Sequence, residues 1–134
     1  MNDARIKHPD TKNAFSIISA AEREMQFTLK QTVTDESAFM IIRNVYECFR
    51  MLGDASLVSK GVVSRDHIEQ IRELETFSVK TQRPLKLIDS LRKLRHTINY
   101  YGYIPTKAEA EDAVSIAHAC FGSLLKEIRR VLGS

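Results

Sequence analysis

The sequence predicts an all-α protein, an up-and-down bundle of four long helices with one additional short helix. Apolar residues recur at spacings of three and four in five segments, and capping residues or glycines separate these segments. No stretch of useful length alternates between apolar and polar residues as a β-strand does. The length of 134 residues argues for one domain, predicted over residues 1–134 with its core at about 10–132.

The first helix is predicted to begin at Asp10 or Thr11 and to run to about Thr32. Thr34 or Asp35 then opens the second helix, because a short polar side chain can accept a hydrogen bond from the free N–H groups at a helix start.

The second helix contains Gly53, which costs about 1 kcal/mol relative to alanine. It is predicted to end at Gly61, since glycine readily adopts the left-handed conformation that stops a helix. A third, shorter helix opens at Ser64 or Asp66.

The fourth helix is predicted to have Pro84 at its first helical position and to stop at Gly102. Its apolar stripe is expected to reach Tyr101. Thr106 and Glu109 form a capping box for the fifth helix. Acids in the first turns of that helix and bases in its last turn complement the helix dipole.

The positive charge is concentrated in one part of the chain. The net charge is +3 and the pI about 8.9. Between residues 80 and 104 the only acid is Asp89, and it stands against six cations: Lys80, Arg83, Lys86, Arg92, Lys93 and Arg95. The segment is either a solvated helix face or a surface whose potential gathers phosphate-bearing ligands.

Other sequence features restrict the class of protein. Cys48 and Cys120 have no metal-ligand spacing and fall on apolar stripes, so both are expected to be buried as small hydrophobes. Met1–Asp10 does not resemble a signal peptide, and no apolar run approaches the roughly 18 residues of a membrane helix. We therefore expect a cytoplasmic protein with no membrane segment, no metal and no cofactor.

Chemistry-bearing side chains cluster in residues 92–104, around the end of the fourth helix. Residues four apart on a helix lie above one another, so Arg95 aligns with Asn99, and His96 aligns with Tyr100. Arg92 lies one turn earlier. These side chains are predicted to converge on a polar patch beside the apolar stripe, a position that is often partly buried at a helix or subunit contact.

The motifs of this chain, and their order, resemble those of the HEPN family. These are small helical-bundle domains, and the name stands for "higher eukaryotes and prokaryotes nucleotide-binding". The similarity covers roughly residues 10–132. Its segments are residues 43–47 (Arg-Asn-Val-Tyr-Glu), Lys60-Gly61 followed by Ser64 and His67, residues 95–103, and the alanine-rich last helix.

This resemblance implies a homodimer, or a pairing with a nucleotidyltransferase protein of the toxin–antitoxin type. Many members are metal-independent ribonucleases in which an arginine is followed, after four to six residues, by a catalytic histidine at the dimer interface. Arg95 matches that arginine, but Tyr100, Tyr101 and Gly102 stand where the histidine should fall. Histidine exchanges protons readily near neutral pH, whereas tyrosine and asparagine do so poorly.

The leading hypothesis is therefore a HEPN-like dimeric domain that binds a nucleotide, RNA or a protein partner without ribonuclease activity. One alternative is an active metal-independent ribonuclease with a non-standard motif, for which Arg95, His96 and Tyr100 are the catalytic candidates. Another is a structural dimeric adaptor. The predicted ligand-binding residues are Glu47, Arg92, Arg95, His96, Asn99, Tyr100 and Tyr101.

The same side chains also have ordinary structural interpretations. Arg95 can pair with an acid such as Glu47, and Asn99 can cap the end of the fourth helix. The tyrosines can pack in the core or at an interface rather than stack on bases. His67 is expected in the first turn of the third helix without a chemical role.

Overall fold

The computed structural model describes residues 7–133, and within that range it contains five α-helices and no β-strand. The helices are α1 (Thr11–Leu29), α2 (Ala38–Ser59), α3 (His67–Glu75), α4 (Leu87–Tyr101) and α5 (Lys107–Leu132). The prediction of an all-α bundle with four long helices and one short helix is confirmed.

Helix α2 is the centre of the bundle, since it packs against each of the other four helices. Its apolar residues recur every three or four positions, so that three sides of the helix are buried. The Phe49 ring meets the Phe121 ring of α5 edge to face, with centroids 5.5 Å apart. Cys48 and Cys120 are buried and free, as predicted, and burial raises the pKa of the Cys48 thiol to about 12.

Three helix starts follow the predicted capping chemistry. Asp10 accepts a hydrogen bond from the backbone N–H of Asn13 at 3.0 Å, and Asp66 caps α3 in the same way. Thr106 and Glu109 form the full capping box of α5. At the other end of two helices, Gly61 and Gly102 adopt positive φ angles, 76° and 65°. These ends are fixed by local sequence, which explains why they could be predicted.

Two other helix starts differ from the prediction. The Thr34 and Ser37 side chains each accept a hydrogen bond from the other residue's backbone N–H, at 3.0 and 2.9 Å, and this pair closes a turn before α2 begins at Ala38. The prediction of Pro84 at the first helical position is wrong. Its carbonyl instead accepts from Leu87 N–H at 3.1 Å in a separate turn, and α4 starts at Leu87.

The short helix α3 lies directly on α2 at Gly53. A Cβ atom at residue 53 would lie 1.9 Å from the Gln70 carbonyl oxygen, so only glycine permits this approach. The buried Glu73 carboxylate holds the same two helices together, since it accepts from Ser56 Oγ at 2.6 Å and from Lys60 Nζ. Gly53 is therefore a contact residue rather than a tolerated interruption of the helix.

Within the described part of the chain, none of the helices combines the length and the apolar character needed to cross a membrane.

We predict that Gly53→Ala lowers the free energy of unfolding by about 1–3 kcal/mol, because the added methyl group must push the α3 backbone away. Gly122→Ala is the matched control, since a Cβ at that helical position meets nothing within 4 Å. It should stabilise the protein by about 1 kcal/mol through helix propensity. Urea denaturation of both variants measures the difference, and stabilisation by both substitutions would contradict the close approach.

Candidate functional site

The site is built around an arginine that lies against a buried aromatic ring. Tyr46 of α2 is fully buried, and Arg95 of α4 places its guanidinium carbon over this ring, 5.4 Å from the centroid. The Arg95 Nε atom is buried and has no hydrogen-bond partner. Arg95 also forms no ion pair within residues 7–133. A fixed positive charge is thus held on an aromatic face without a counter-ion.

The acid expected to pair with Arg95 is engaged elsewhere. Both carboxylate oxygens of Glu47 accept from the Arg50 guanidinium, with Nε to Oε2 at 3.0 Å. Arg50 also donates from Nη1 to Gln70 Oε1 of α3 at 2.9 Å. The hydrogen bonds from Arg50 hold the pKa of Glu47 below its ordinary value. The suggested Glu47–Arg95 ion pair is therefore wrong, and Glu47 belongs to an Arg50–Glu47 pair beside Arg95.

The second arginine of the predicted patch also has a partner. Arg92 Nε donates to Asp89 Oδ1 at 2.7 Å, and Lys93 Nζ lies 3.6 Å from the other oxygen of the same carboxylate. The Arg92 hydrogen bond holds the pKa of Asp89 below its ordinary value. Because Arg50 and Arg92 each have an acid partner and Lys93 shares Asp89 with Arg92, the arginine of this region without an acid partner is Arg95.

His67 lies in the first turn of α3, as predicted, and this position brings it into the cluster. It is the first residue of α3, and its ring centroid is 5.9 Å from that of Tyr46. Burial, and then the charges of Arg50 and Arg95, lower the pKa of His67 below its ordinary value. The imidazole is therefore neutral at pH 7. Its position depends on the docking of α3 at Gly53, which sequence spacing does not reveal.

The hydroxyl group of Tyr46 is the second unsatisfied polar group of the site. It is buried and has no hydrogen-bond partner. Burial raises the pKa of Tyr46 to about 12, although the nearby Arg95 charge opposes this shift. The phenol therefore stays protonated at neutral pH and offers a hydrogen-bond donor. Below, the Arg95 cluster denotes Tyr46, Glu47, Arg50, His67, Arg92 and Arg95.

The remaining residues of the predicted patch lie on an exposed part of α4, which we name the aromatic face (His96, Tyr100 and Tyr101). The His96 ring is 4.5 Å from the Tyr100 ring at 34°, and 6.1 Å from the Tyr101 ring. Tyr101 is 77% exposed, so its expected place on the apolar stripe is wrong. Asn99 is exposed and its side chain makes no hydrogen bond with the described residues, so it does not cap the helix.

An apolar groove of about 510 Å³ lies next to the C-terminal end of α4. Its apolar lining is Phe39, Ile98, Tyr103, Ile104 and Pro105. Ile104 is 82% exposed, and Phe39 is also exposed. The Tyr103 hydroxyl donates to Glu109 Oε1 at 2.7 Å, which ties this loop to the start of α5.

The polar groups of the Arg95 cluster are mainly hydrogen-bond donors and cations. Over residues 7–133, no group of three or more His, Cys, Asp or Glu side chains is placed to hold a metal ion. The site instead offers one unpaired guanidinium, a protonated phenol and a neutral imidazole. Comparison of the chain with protein-family models, with curated proteins and with solved structures finds no match in any of the three.

We predict that Tyr46→Phe raises the free energy of unfolding by about 1 kcal/mol at pH 7, because it removes a buried hydroxyl without a partner and keeps the ring. The folded-state pKa of Tyr46, about 12, is above its ordinary value of 10. Between pH 10 and 12 the unfolded chain loses the phenol proton while the folded chain keeps it. The free energy of unfolding is therefore independent of this ionisation below pH 10 and falls as the pH rises to 12.

Denaturation of both proteins at pH 7, 10 and 12 tests this prediction. The wild type should lose about 2–3 kcal/mol more than the phenylalanine variant between pH 10 and 12. A variant that is less stable at pH 7, with unchanged alkaline behaviour, would mean that the hydroxyl is satisfied in the folded state.

Proposed function

We propose that this protein is a HEPN-like dimeric domain that binds the phosphate of RNA or of a nucleotide at Arg95 and does not cleave it. The observation that carries the proposal is the Arg95 guanidinium, which lies against Tyr46 with no acid or carbonyl partner among the described residues. A guanidinium presents two parallel N–H groups that match a phosphate or carboxylate, and its charge persists at any physiological pH.

The surroundings of Arg95 favour a nucleotide over a simple carboxylate ligand. The aromatic face lies on the same helix, and Tyr100 and Tyr101 are 73% and 77% exposed. A ligand that reaches both Arg95 and these exposed rings, five and six residues further along α4, would combine a phosphate contact with base stacking. The neighbouring Arg50 and Arg92 add positive potential although each has an acid partner.

The absence of a histidine at the position that the family motif gives it on α4 supports binding without cleavage. Attack by a ribose 2′-OH needs a group that takes up and releases protons near neutral pH. The family motif places a histidine where this chain has Tyr100, Tyr101 and Gly102. Tyrosine serves this purpose poorly, and glycine has no side chain for it.

One observation favours the second candidate function, an active ribonuclease. The neutral imidazole of His67 lies in the Arg95 cluster, 5.9 Å from the Tyr46 ring. A neutral histidine beside an unpaired arginine is a possible general base. This version uses His67 of α3 in place of His96 or Tyr100.

The proposed dimer rests on the apolar groove, which exposes large apolar side chains next to one another beyond the C-terminal end of α4. Contiguous exposed aromatic and aliphatic surface is typical of protein interfaces. A nucleotidyltransferase partner can occupy this surface instead of a second copy.

We predict that Arg95→Ala lowers the affinity for unstructured RNA by about ten- to a hundredfold, since a charge-assisted hydrogen bond contributes roughly 1.5–3 kcal/mol. Arg95→Lys should restore binding only in part, because an ammonium group cannot bind a phosphate through two parallel N–H groups. The measurement is fluorescence anisotropy of labelled RNA in metal-free buffer. Arg43→Ala is the matched control, because Arg43 also lies 5.4 Å from an aromatic ring, that of Phe39, but in an exposed position.

The same reactions, analysed by gel electrophoresis, separate the other functions. Metal-independent cleavage that disappears in Arg95→Ala and in His67→Ala would replace the binding proposal with the ribonuclease. If Arg95→Ala left RNA binding unchanged but dissociated the dimer, the adaptor would be the correct description.

We predict a dimer at micromolar concentration and a monomer for Ile104→Asp, because a carboxylate at this exposed position would be desolvated in the interface. Multi-angle light scattering gives both masses. Phe27→Asp on α1, at a residue that is also exposed, is the control and should remain dimeric. A monomeric wild type across micromolar concentrations would remove the dimer from the proposal.

A further inference from the structure

We propose that an anion bound at Arg95 draws a proton onto His67, so that the site binds a dianion, such as a terminal phosphate or a sulfate group, together with one proton. This inference rests on the proposed function, since it concerns the same anion site. It adds the charge of the ligand and a dependence of its affinity on pH. The observation behind it is that Arg95 and His67, from two different helices, lie against the same buried ring.

The Tyr46 ring is the element that these two side chains share. The Arg95 guanidinium carbon lies 5.4 Å from the ring centroid, and the His67 ring lies 5.9 Å from it at an angle of 44°. The Tyr46 phenol stays neutral, because burial raises its pKa to about 12. Since Arg95 and His67 are both only partly exposed, water screens the charge of one from the other less than it does between two surface groups.

The charged groups around His67 come from each element packed against it. Burial first, and then the charges of Arg50 on α2 and Arg95 on α4, lower the pKa of the imidazole. Two carboxylates raise it, those of Glu47 on α2 and of Asp66 immediately before α3. Arg50 is hydrogen-bonded to both oxygens of Glu47. The cation of this set that a ligand can neutralise without displacing an acid is therefore Arg95.

An anion on Arg95 changes the balance of charge at His67. With the guanidinium neutralised, the remaining neighbours are the Arg50–Glu47 pair and Asp66, whose summed charge is negative. A monoanion only cancels the guanidinium, whereas a dianion adds a further negative charge that favours the protonated imidazole. Coupling between two binding sites is reciprocal. The affinity for a dianion should therefore rise as the pH falls and His67 becomes protonated.

The test follows the histidines by NMR while sulfate is titrated onto the protein between pH 5 and 8. Sulfate keeps its charge of −2 over this range, so a pH dependence of its binding comes from the protein, and perchlorate is the matched monoanion. The chain has four histidines, His8, His67, His96 and His118. The variants are His67→Gln, which also assigns the His67 signal, and Arg95→Ala. His96→Gln is the matched control, since His96 is an exposed histidine of α4 outside the Arg95 cluster.

We expect saturating sulfate to move the titration midpoint of His67 to higher pH, perchlorate to move it less, and the midpoints of His96 and His118 to stay unchanged. Sulfate should bind about tenfold more tightly at pH 5 than at pH 8, a typical strength of coupling between two sites. His67→Gln should bind sulfate with nearly the same affinity at both pH values, whereas His96→Gln should keep the wild-type dependence. Arg95→Ala should lose both sulfate binding and the displacement of the His67 midpoint.

Other outcomes would overturn the inference. Sulfate that binds through Arg95 but leaves the His67 midpoint unchanged would remove the proton and leave the proposed anion site intact. Equal displacement by perchlorate and sulfate would exclude the preference for a dianion, and equal displacement of all four histidines would reduce the effect to ionic strength. A pH dependence that survives in His67→Gln would assign the proton to another group. If sulfate bound at no pH in this range, the anion site of the proposed function would fail together with the inference.

Discussion

The contact between the Gln70 carbonyl and Gly53 determines where α3 lies on α2, and the charges of the site follow from that position. With α3 seated there, the Gln70 side chain accepts from Arg50. Arg50 is thereby held between α3 and Glu47, and it occupies both oxygens of that carboxylate. The nearest acid on α2 is thus withdrawn from Arg95. The contact at Gly53 therefore places Gln70 where it helps to hold Arg50 against Glu47, the pairing that leaves Arg95 without an acid.

Contact with the Tyr46 ring offsets part of the free-energy cost of placing the Arg95 guanidinium in a partly buried position. A half-buried guanidinium without a carboxylate loses hydration, and a cation–π contact returns roughly 1–2 kcal/mol of that cost. The buried hydroxyl of Tyr46 adds a second unsatisfied group at the same place. Buried polar groups without a hydrogen-bond partner are uncommon in folded proteins, and strongly shifted pKa values cluster at functional sites. The proposed phosphate would satisfy the guanidinium.

Much of the fold can be predicted from the sequence because its signals are local. Asp66 and Thr106 cap helices through residues three positions away, and Gly102 stops α4 by its own φ angle. The prediction of Pro84 at a helix start is wrong because a proline suits a preceding turn equally well. The prediction for Tyr101 is wrong because hydrophobic spacing does not tell whether the last turn of a helix still faces the core.

The candidate site can be predicted only in part, for the same reason. His96 and Tyr100 are four residues apart on one helix, so helical spacing alone predicts that they are neighbours. Glu47 could pair with Arg50, three positions away on α2, or with Arg95 of α4. Local spacing does not predict which of the two arginines it pairs with. His67 joins the Arg95 cluster through the packing of α3 on α2, which no local pattern encodes. The ligand and the dimer remain predictions.

The central claim is that Arg95, and not the paired arginines around it, receives the anion. The most direct measurement is a ¹H–¹⁵N NMR spectrum of the arginine Nε–H groups during titration with an oligouridylate, with Arg95→Lys used for assignment. We predict that the Arg95 signal shifts most and that its exchange with water slows, while Arg50 and Arg92, which already have acid partners, change little. Saturating RNA that leaves the Arg95 signal in place, or that shifts Arg50 and Arg92 instead, would contradict this account.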